Sequence, residues 1–326
     1  MAKIKKIAVL TSGGDAPGMN AAVRAVVRAA LYHKLQVVGI EHGYEGMING
    51  EFIDLTSIDV RNVIQRGGTF LRSARSMEFK TKEGRAIAHK KLVEKKIDAL
   101  IVIGGDGTFT GAGLFSQEFD IPCIGIPGTI DNDIYGTDFT IGFDTALNTV
   151  VEAIDKIKDT ANSHDRMFFI EVMGRDAGFI ALQAGIATGA EAILIPEVEG
   201  QEEKLKDFIR NDSQNSKSSH IILVAEGNKL GGAHEVAKMV ADNFKDISVR
   251  VSVLGHVQRG GTPTAFDRFL ASRLGVAAVE ALLDNQRSIM VGYTNHEVVH
   301  VSFNKTIKGH RNVSSELLLV ADILTI

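Results

Sequence analysis

Several glycine-rich or charged clusters in this chain follow short apolar runs, and their residue types suit the handling of phosphate. Thr11-Ser12-Gly13-Gly14-Asp15-Ala16-Pro17-Gly18-Met19-Asn20 stands between an apolar run and an amphipathic one. Glycines let backbone N–H groups approach phosphate oxygens, and a following helix N-terminus adds a favourable dipole. The segment has no Gly-Lys-Ser/Thr, so it is not a Walker A loop, and it is not a dinucleotide Gly-x-Gly-x-x-Gly. Gly104-Gly105-Asp106-Gly107-Thr108 has room for a polyphosphate, and its single carboxylate suits hydrated Mg²⁺. The plainer role for Asp106 is a helix N-cap. Pro127-Gly128-Thr129-Ile130-Asp131-Asn132-Asp133 supplies two carboxylates two residues apart, with a hydroxyl just before them. One carboxylate could take a proton from a substrate hydroxyl while the other orients it or reaches a metal shell. By itself this would be an ordinary Asx-turn cluster.

Arg75, Arg166, Arg175, Arg250 and Arg259 lie in or beside such loops. Arginine grips phosphate bidentately, although a given arginine is more often a solvated surface residue. His256 and Arg259, within Leu254-Gly255-His256-Val257-Gln258-Arg259-Gly260-Gly261, suggest an anion pocket. No histidines show metal-ligand spacing such as His-Glu-x-x-His. Together these residues describe Mg²⁺-dependent phosphoryl transfer. Gly14, Asp106 and Gly107 would meet a polyphosphate, Asp131 would accept the proton, and a basic pocket would hold an anionic acceptor.

The elements that must position them are legible as alternation. Ile4–Leu10, Leu100–Ile103, Cys123–Ile126, Phe168–Val172, Ile193–Ile195, Ile221–Ala225 and Val249–Leu254 read as buried strands. Ala21–Leu31, Glu83–Lys95, Thr145–Thr160, Phe179–Thr188, Glu202–Ile209 and Ala265–Leu283 carry helical periodicity. That order implies right-handed crossovers and a mostly parallel sheet covered on both faces. In such sheets ligands bind beyond the carboxyl ends of the strands, where the clusters stand. Asn211–Ser219 is the most polar stretch and reads as a surface loop, and a domain change is expected near Thr140–Asp144.

Composition narrows the partners. The chain has 326 residues, with 36 Lys plus Arg against 40 Asp plus Glu, a net charge of −4. A general nucleic-acid or anionic-membrane binder would carry a basic surplus, so neither is an expected partner. The one cysteine, Cys123, excludes an intramolecular disulfide and any multi-Cys metal site, and fits a cytoplasmic location. The apolar part of the N-terminus is too short for a signal peptide, and no run is long enough to span a bilayer.

These motifs, in this order, resemble the bacterial ATP-dependent 6-phosphofructokinases. The resemblance rests on the segments from Thr11, Gly104 and Pro127, with Met173-Gly174-Arg175, Val224-Ala225-Glu226-Gly227 and Gly255-His256-Val257-Gln258-Arg259-Gly260-Gly261. It runs from about Ile7 to the end of the chain. It implies two Rossmann-like three-layer α/β domains with mostly parallel sheets. Residues 1–141 plus 258–307 would form a larger ATP- and Mg-binding domain, and 142–257 plus 308–326 a smaller sugar-phosphate domain. The implied glycolytic reaction transfers a phosphoryl group from Mg-ATP to the 1-hydroxyl of fructose 6-phosphate.

The resemblance also assigns residues. Asp131 would be the base and Asp133 would assist, with Thr129, Arg75, Arg175 and the Gly14 loop at the moving phosphoryl group. Tyr44, Arg75, Ser76, Asp106, Gly107, Thr108 and Gly111 would bind ATP, Asp106 through Mg²⁺. Thr129, Ile130, Asp131, Met173, Gly174, Arg175, Glu226, His256, Val257, Gln258 and Arg259 would hold the sugar phosphate. Arg166 and Arg250 would reach it from a neighbouring subunit of a homotetramer. An intersubunit effector site for ADP or phosphoenolpyruvate would use Arg24, Arg28, Ser57, Lys158, Glu191, Asn215 and Lys217. Ser57, Lys158 and Asn215 stand where regulated relatives carry Arg, Asn62 where Asp is usual, and Phe179 replaces an Asp at a helix start. The pyrophosphate-dependent branch has Asp at the position of Gly107 and Lys at that of Gly128, which makes ATP the expected donor.

Overall fold

A computed structural model of the chain describes residues 4–163, 166–212 and 220–324. The chain begins with β1 (Lys6–Thr11), α1 (Met19–Tyr32), β2 (Gln36–Ile40), α2 (Gly43–Asn49) and β3 (Phe52–Asp54). A long loop leads to α3 (Lys82–Glu94), β4 (Ala99–Gly104), α4 (Asp106–Phe119), β5 (Cys123–Pro127) and α5 (Phe143–Asn162). Then follow β6 (Met167–Val172), α6 (Phe179–Thr188), β7 (Ala192–Leu194), α7 (Gln201–Asp212), β8 (His220–Ala225), α8 (Ala233–Asn243) and β9 (Val249–Val253). The last elements are α9 (Ala265–Leu283), β10 (Ile289–Thr294), β11 (Glu297–Ser302), α10 (Phe303–Lys308) and α11 (Ser315–Leu324).

Two compact units divide these elements. The first holds residues 1–130, 134–145 and 259–311, and the second holds 131–133, 146–258 and 312–326. The first has a seven-stranded sheet in the order β11-β10-β5-β4-β1-β2-β3, with its five inner strands parallel and an antiparallel strand at each edge. The second has a four-stranded parallel sheet, β7-β8-β6-β9. The sequence placed crossings after residues 141, 257 and 307. In the structure they follow 145, 258 and 311, and Asp131–Asp133 goes with the second unit.

Each strand expected from an apolar run forms; β4, β5 and β8, covered on both faces, are buried throughout, while the edge strand β9 keeps Arg250 and Ser252 between its valines. In the first unit, Ala8, Leu10, Leu100 and Val102 pack against Met47, Phe109, Phe115 and Phe303. In the second, Phe169, Ile222 and Val224 pack against Leu205, Val236 and Val240. Among the elements the apolar runs did not show, helix α4 and the β10–β11 hairpin have visible reasons. Helix α4 contains Gly107, Gly111 and Gly113, which mask its periodicity. The β10–β11 hairpin turns on Asn295 and His296, both left-handed at φ 51° and 65°, as a two-residue turn requires. Asn211 and Asp212, expected in a loop, are the last two residues of α7, and residues 213–219 lie outside the described ones. Among the described residues no helix is long and apolar enough to cross a membrane.

Candidate active site

In the first unit the phosphate-type loops stand at the carboxyl ends of β1, β4 and β5. The β1 loop is anchored from several directions. Ser12 N donates to Ile103 O at 2.9 Å, and Ser73 Oγ donates to Gly13 O at 2.8 Å. Arg259 lies against this loop. Its Nη1 donates to Asp15 O at 3.4 Å, and a methyl on Gly14 would come within 2.5 Å of the same nitrogen. Gly14 thus lets a guanidinium meet the loop, and Arg259, expected beside His256, has its charge there.

Gly105 caps α4 and Asp106 is the first helical residue, so Asp106 is not the N-cap. The exposed Asp106 and Gly107 stand at the helix's positive end, and a Cβ on Gly107 would meet nothing within 4 Å. This open, glycine-lined turn has space for phosphates. Thr108 and Tyr44, expected to line the ATP site, turn inward instead. Thr108 is buried and its Oγ1 donates to Ser12 O at 3.3 Å. The Tyr44 ring stacks on Phe79 with centroids 4.0 Å apart, and its hydroxyl donates to Thr108 O at 2.5 Å. Burial pushes the Tyr44 pKa well above the ordinary phenol value. A methyl on Gly111 would press on Tyr44 at 3.0 Å and Phe79 at 3.2 Å, so Gly111 makes room for this stack. These residues support α4 from behind.

Arg75 and Ser76 lie on the loop before α3. Arg75 is exposed, and Ser76 Oγ accepts from Phe79 N at 3.2 Å. Arg85 secures the end of that loop. It is 6% exposed, forks onto both Glu118 carboxylate oxygens at 2.7 Å, and donates to Phe79 O and Lys80 O. Asn20 ends the glycine-rich segment that begins at Thr11. Its amide nitrogen donates to Arg66 O and Gly67 O, while its oxygen accepts from Phe70 N at 2.8 Å. Its full burial could not be read from the sequence.

At the β5 end, Thr129 is buried and its carbonyl accepts from Thr140 Oγ1 at 2.6 Å. Ile130 is fully buried, so only its backbone could face a ligand. In the second unit, Asp131 is 8% exposed, and Asn132 takes a left-handed φ of 55° that turns the chain between the two carboxylates. Asn tolerates that conformation better than most residues. Asp133 is half-buried.

Met173-Gly174-Arg175 extends from β6. Gly174 has φ 141°, and Arg175 is left-handed at 55°. Glu226 Oε1 accepts from Arg175 N at 2.7 Å, and a Cβ on Gly227 would collide with Arg175 O at 2.1 Å. The close approach of the β8 loop therefore holds the strained residue. The Arg175 and Glu226 side chains stand in solvent, as do His256 and Val257. Gln258 differs from expectation. It is fully buried, its Oε1 accepts from Met173 N at 3.1 Å, and its Nε2 donates to Gly255 O at 3.0 Å. With both ends of its amide engaged, it positions the β6 loop. Arg166 and Arg250 lie at the other end of this sheet, just before β6 and at the second position of β9.

The expected effector residues are differently placed. Arg24 and Arg28 share α1, and Arg24's pKa is lowered by burial and then by repulsion from Arg28. Ser57 and Asn62 are exposed, and nothing in the structure explains the latter. Lys158 Nζ donates to Thr188 O and Gly189 O, the last carbonyls of α6. Glu191 Oε2 accepts from Ile221 N at 2.7 Å and ties β7 to β8. Both side chains are thus engaged internally, while Asn215 and Lys217 lie outside the described residues. The carboxylate missing at Phe179 is supplied by Glu197, whose Oε1 accepts from Gly178 N at 2.8 Å.

Comparison with known proteins decides the family. The Phosphofructokinase family model matches residues 6–282. The chain belongs to the phosphofructokinase family. It is 56% identical over 326 residues to "ATP-dependent 6-phosphofructokinase 2" of Bacteroides thetaiotaomicron, covering 100% of both chains. The solved phosphofructokinase of Saccharomyces cerevisiae matches with a TM-score of 0.88 at 40% identity over 93% of this chain. This phosphofructokinase-family chain spans only 45% of that yeast chain. A pyrophosphate-dependent phosphofructokinase from Marinobacter aquaeolei matches at 23% identity and TM-score 0.85, over 99% of this chain and 92% of its own, and shares the fold.

Proposed function

We propose that this phosphofructokinase-family chain transfers the terminal phosphoryl group of ATP to the 1-hydroxyl of fructose 6-phosphate, giving ADP and fructose 1,6-bisphosphate in glycolysis. The observation that carries the reading is the full-length 56% identity to a protein named for that activity. The Gly14 loop, Asp106 and Gly107 take the triphosphate on backbone N–H groups and a helix N-terminus. Asp131 accepts the proton of the attacking hydroxyl, with Asp133 beside it. Thr129, Arg75 and Arg175 steady the transferring group, whose chemistry needs positioning and charge neutralisation above all. Met173, Glu226, His256 and Arg259 hold the sugar phosphate.

Asp106 fits Mg²⁺, since that cation commonly takes one or two carboxylates plus substrate phosphates. Among the described residues no three His, Cys, Asp or Glu side chains converge on a metal position of their own, which suits an ion arriving with the nucleotide. Bound there, Mg²⁺ would neutralise charge on the β- and γ-phosphates. ATP rather than pyrophosphate is the donor on this reading. The space at Gly107 accommodates a nucleotide that an Asp would repel, and a side chain at Gly128 would press within 3.2 Å of Ile103 and Met19.

A homotetramer with shared sites completes the proposal. The six residues of β6 span about 20 Å between Arg166 and the Met173 loop. Arg166 therefore serves a neighbour's sugar phosphate rather than its own, and Arg250, paired with Phe168 near the same end, does likewise. The test is a coupled assay with fructose 6-phosphate and either ATP or pyrophosphate at matched Mg²⁺. Turnover with ATP alone is expected, and turnover with pyrophosphate, alone or as well as with ATP, overturns the donor assignment.

A further inference from the structure

Asp267 is fully buried and has no part in the chemistry assigned above. It is the third residue of α9, after the cap Thr264, whose Oγ1 accepts from Asp267 N at 3.2 Å. An acidic side chain here often turns back to the N–H of its own cap residue. This one reaches another helix. Its Oδ1 accepts from Gly142 N at 2.8 Å, and its Oδ2 accepts from Thr145 N at 2.8 Å and Thr145 Oγ1 at 2.5 Å. These amides belong to the start of α5, where N–H groups have no partner within the helix. The exchange is mutual. Thr145 Oγ1 accepts from Thr264 N at 3.0 Å, and Thr264 Oγ1 donates to Asp144 Oδ2 at 2.5 Å.

The segment fixed in this way backs two functional loops. Ile141 N donates to Pro127 O at 2.9 Å, and Thr140 Oγ1 donates to Thr129 O. A methyl on Gly142 would lie 2.6 Å from Ala16 Cβ, and one on Gly18 would lie 2.7 Å from Ile141 Cγ2 and 3.5 Å from Asp267 Cβ. The β1 loop, the β5 corner and residues 140–145 are therefore packed without slack, and Asp267 secures the last of the three. We propose that Asp267 is a positioning residue for phosphoryl transfer, capping α5 from α9 so that the Gly14 loop and the Pro127–Thr129 corner keep their working geometry. This rests on the roles proposed above for Gly14 and Thr129.

The experiment uses the full-length enzyme. Asp267→Asn keeps the size and one acceptor oxygen but sets an NH₂ against amide donors. Thr145→Val removes the bridging hydroxyl and Thr145→Ser keeps it. With assay temperature set below each variant's measured Tm, Asp267→Asn is expected to lower kcat by roughly 10–10²-fold, as small misplacements of reacting groups do. KM for fructose 6-phosphate should stay within about twofold. Thr145→Val should lose part of this rate and Thr145→Ser should retain it. The Asp267→Asn/Thr145→Val pair should fall short of additive losses, because both break one link. Near-normal kcat in folded Asp267→Asn, equal damage from Thr145→Ser and Thr145→Val, or additive losses would each overturn the proposal. If Asp267→Asn does not fold, the two Thr145 variants decide. Asp131→Asn is assayed alongside. Wild-type turnover there sinks the site reading, whereas a slow Asp131→Asn with an unaffected Asp267→Asn sinks the positioning role alone.

Discussion

The loops of the first unit and those of the second are held in different ways. Around β1 and β4, side chains are spent inward. Asn20, Thr108, Tyr44, Arg85 and Asp267 are all buried and bonded to backbone or to one another. Around β6 and β8 the backbone is held, through Glu226, Gln258 and the glycines, but the cations themselves stand in solvent. The one ion pair of Arg175 among the described contacts, with Asp176 at 3.6 Å, is a surface pair that contributes little. The loops of the first unit are therefore preorganised by the chain itself, whereas those of the second offer exposed charges that nothing within their own unit orders as tightly. Preorganised dipoles need no reorganisation during reaction. Exposed arginines lose side-chain entropy on binding, and binding free energy must offset that loss.

Removing the proposed base tests the chemistry common to both sets of loops and should give the largest effect. Asp131→Asn is expected to slow kcat by roughly 10²–10⁴-fold with little change in either KM. Steady-state kinetics on a pure preparation checks this, and turnover near wild type would remove Asp131 from the mechanism.

The contrast between the units is sharpened by a change confined to the first. In Gly107→Asp the new Cβ meets nothing within 4 Å, so the fold should be unaffected. The added carboxylate should still repel the triphosphate and lower kcat/KM for ATP by about 10²-fold, a loss of roughly 3 kcal/mol. KM for fructose 6-phosphate should hardly move. Equal damage to both substrates would mean that the two sets of loops do not act separately.

The matching change in the second unit should be smaller and, on the shared site proposed above, should cross subunits. Arg166→Ala and Arg250→Ala each remove a charge-assisted contact worth ~1.5–3 kcal/mol, so KM for fructose 6-phosphate should rise by roughly 10–10²-fold. Mixed tetramers of Arg166→Ala and Asp131→Asn chains should regain activity, because some sites then combine an intact base with an intact arginine. Absence of complementation in verified mixed tetramers would place each site within one chain.

What could be read in advance follows the same division. Strand-end clusters were visible because parallel strands buried on both faces become Val- and Ile-rich runs, and phosphate loops need glycine at fixed offsets. Side-chain direction was not visible. Thr108 and Gln258 sit inside motifs, and nothing local shows that their polar atoms point inward. Asp267 was harder still, because its partners Thr145 and Gly142 lie 122 and 125 residues away. Arg85 pairs with a carboxylate 33 residues distant on another helix, and its spacing carries no sign of it. A buried polar contact between distant elements has no periodicity, so sequence pattern finds the strand ends and misses what braces them.

Lys158 gives the smallest expected effect. The resemblance places it among effector-site residues, yet its ammonium is bound by the carbonyls of Thr188 and Gly189. A cation at a helix C-terminus contributes about 0.3–1 kcal/mol through the dipole. Lys158→Met, which keeps the apolar stem, should therefore lower Tm by roughly 0.5–1.5 °C, at about 1.5 °C per kcal/mol in a chain of this length. Turnover should stay within about twofold of wild type. Phosphoenolpyruvate should inhibit weakly in both proteins. Ser57 supplies no charge, Lys158 is already engaged, and Glu191 is occupied by Ile221 N, which leaves Arg24 and Arg28 as the described cations. Each lost charged hydrogen bond weakens an anion by ~1.5–3 kcal/mol, and an effector shifts the enzyme only by its differential affinity for two states. Titrating phosphoenolpyruvate at subsaturating fructose 6-phosphate separates the two roles of Lys158. A wild-type enzyme inhibited strongly, with Lys158→Met losing that response and keeping its Tm, would make Lys158 an effector cation rather than a helix cap.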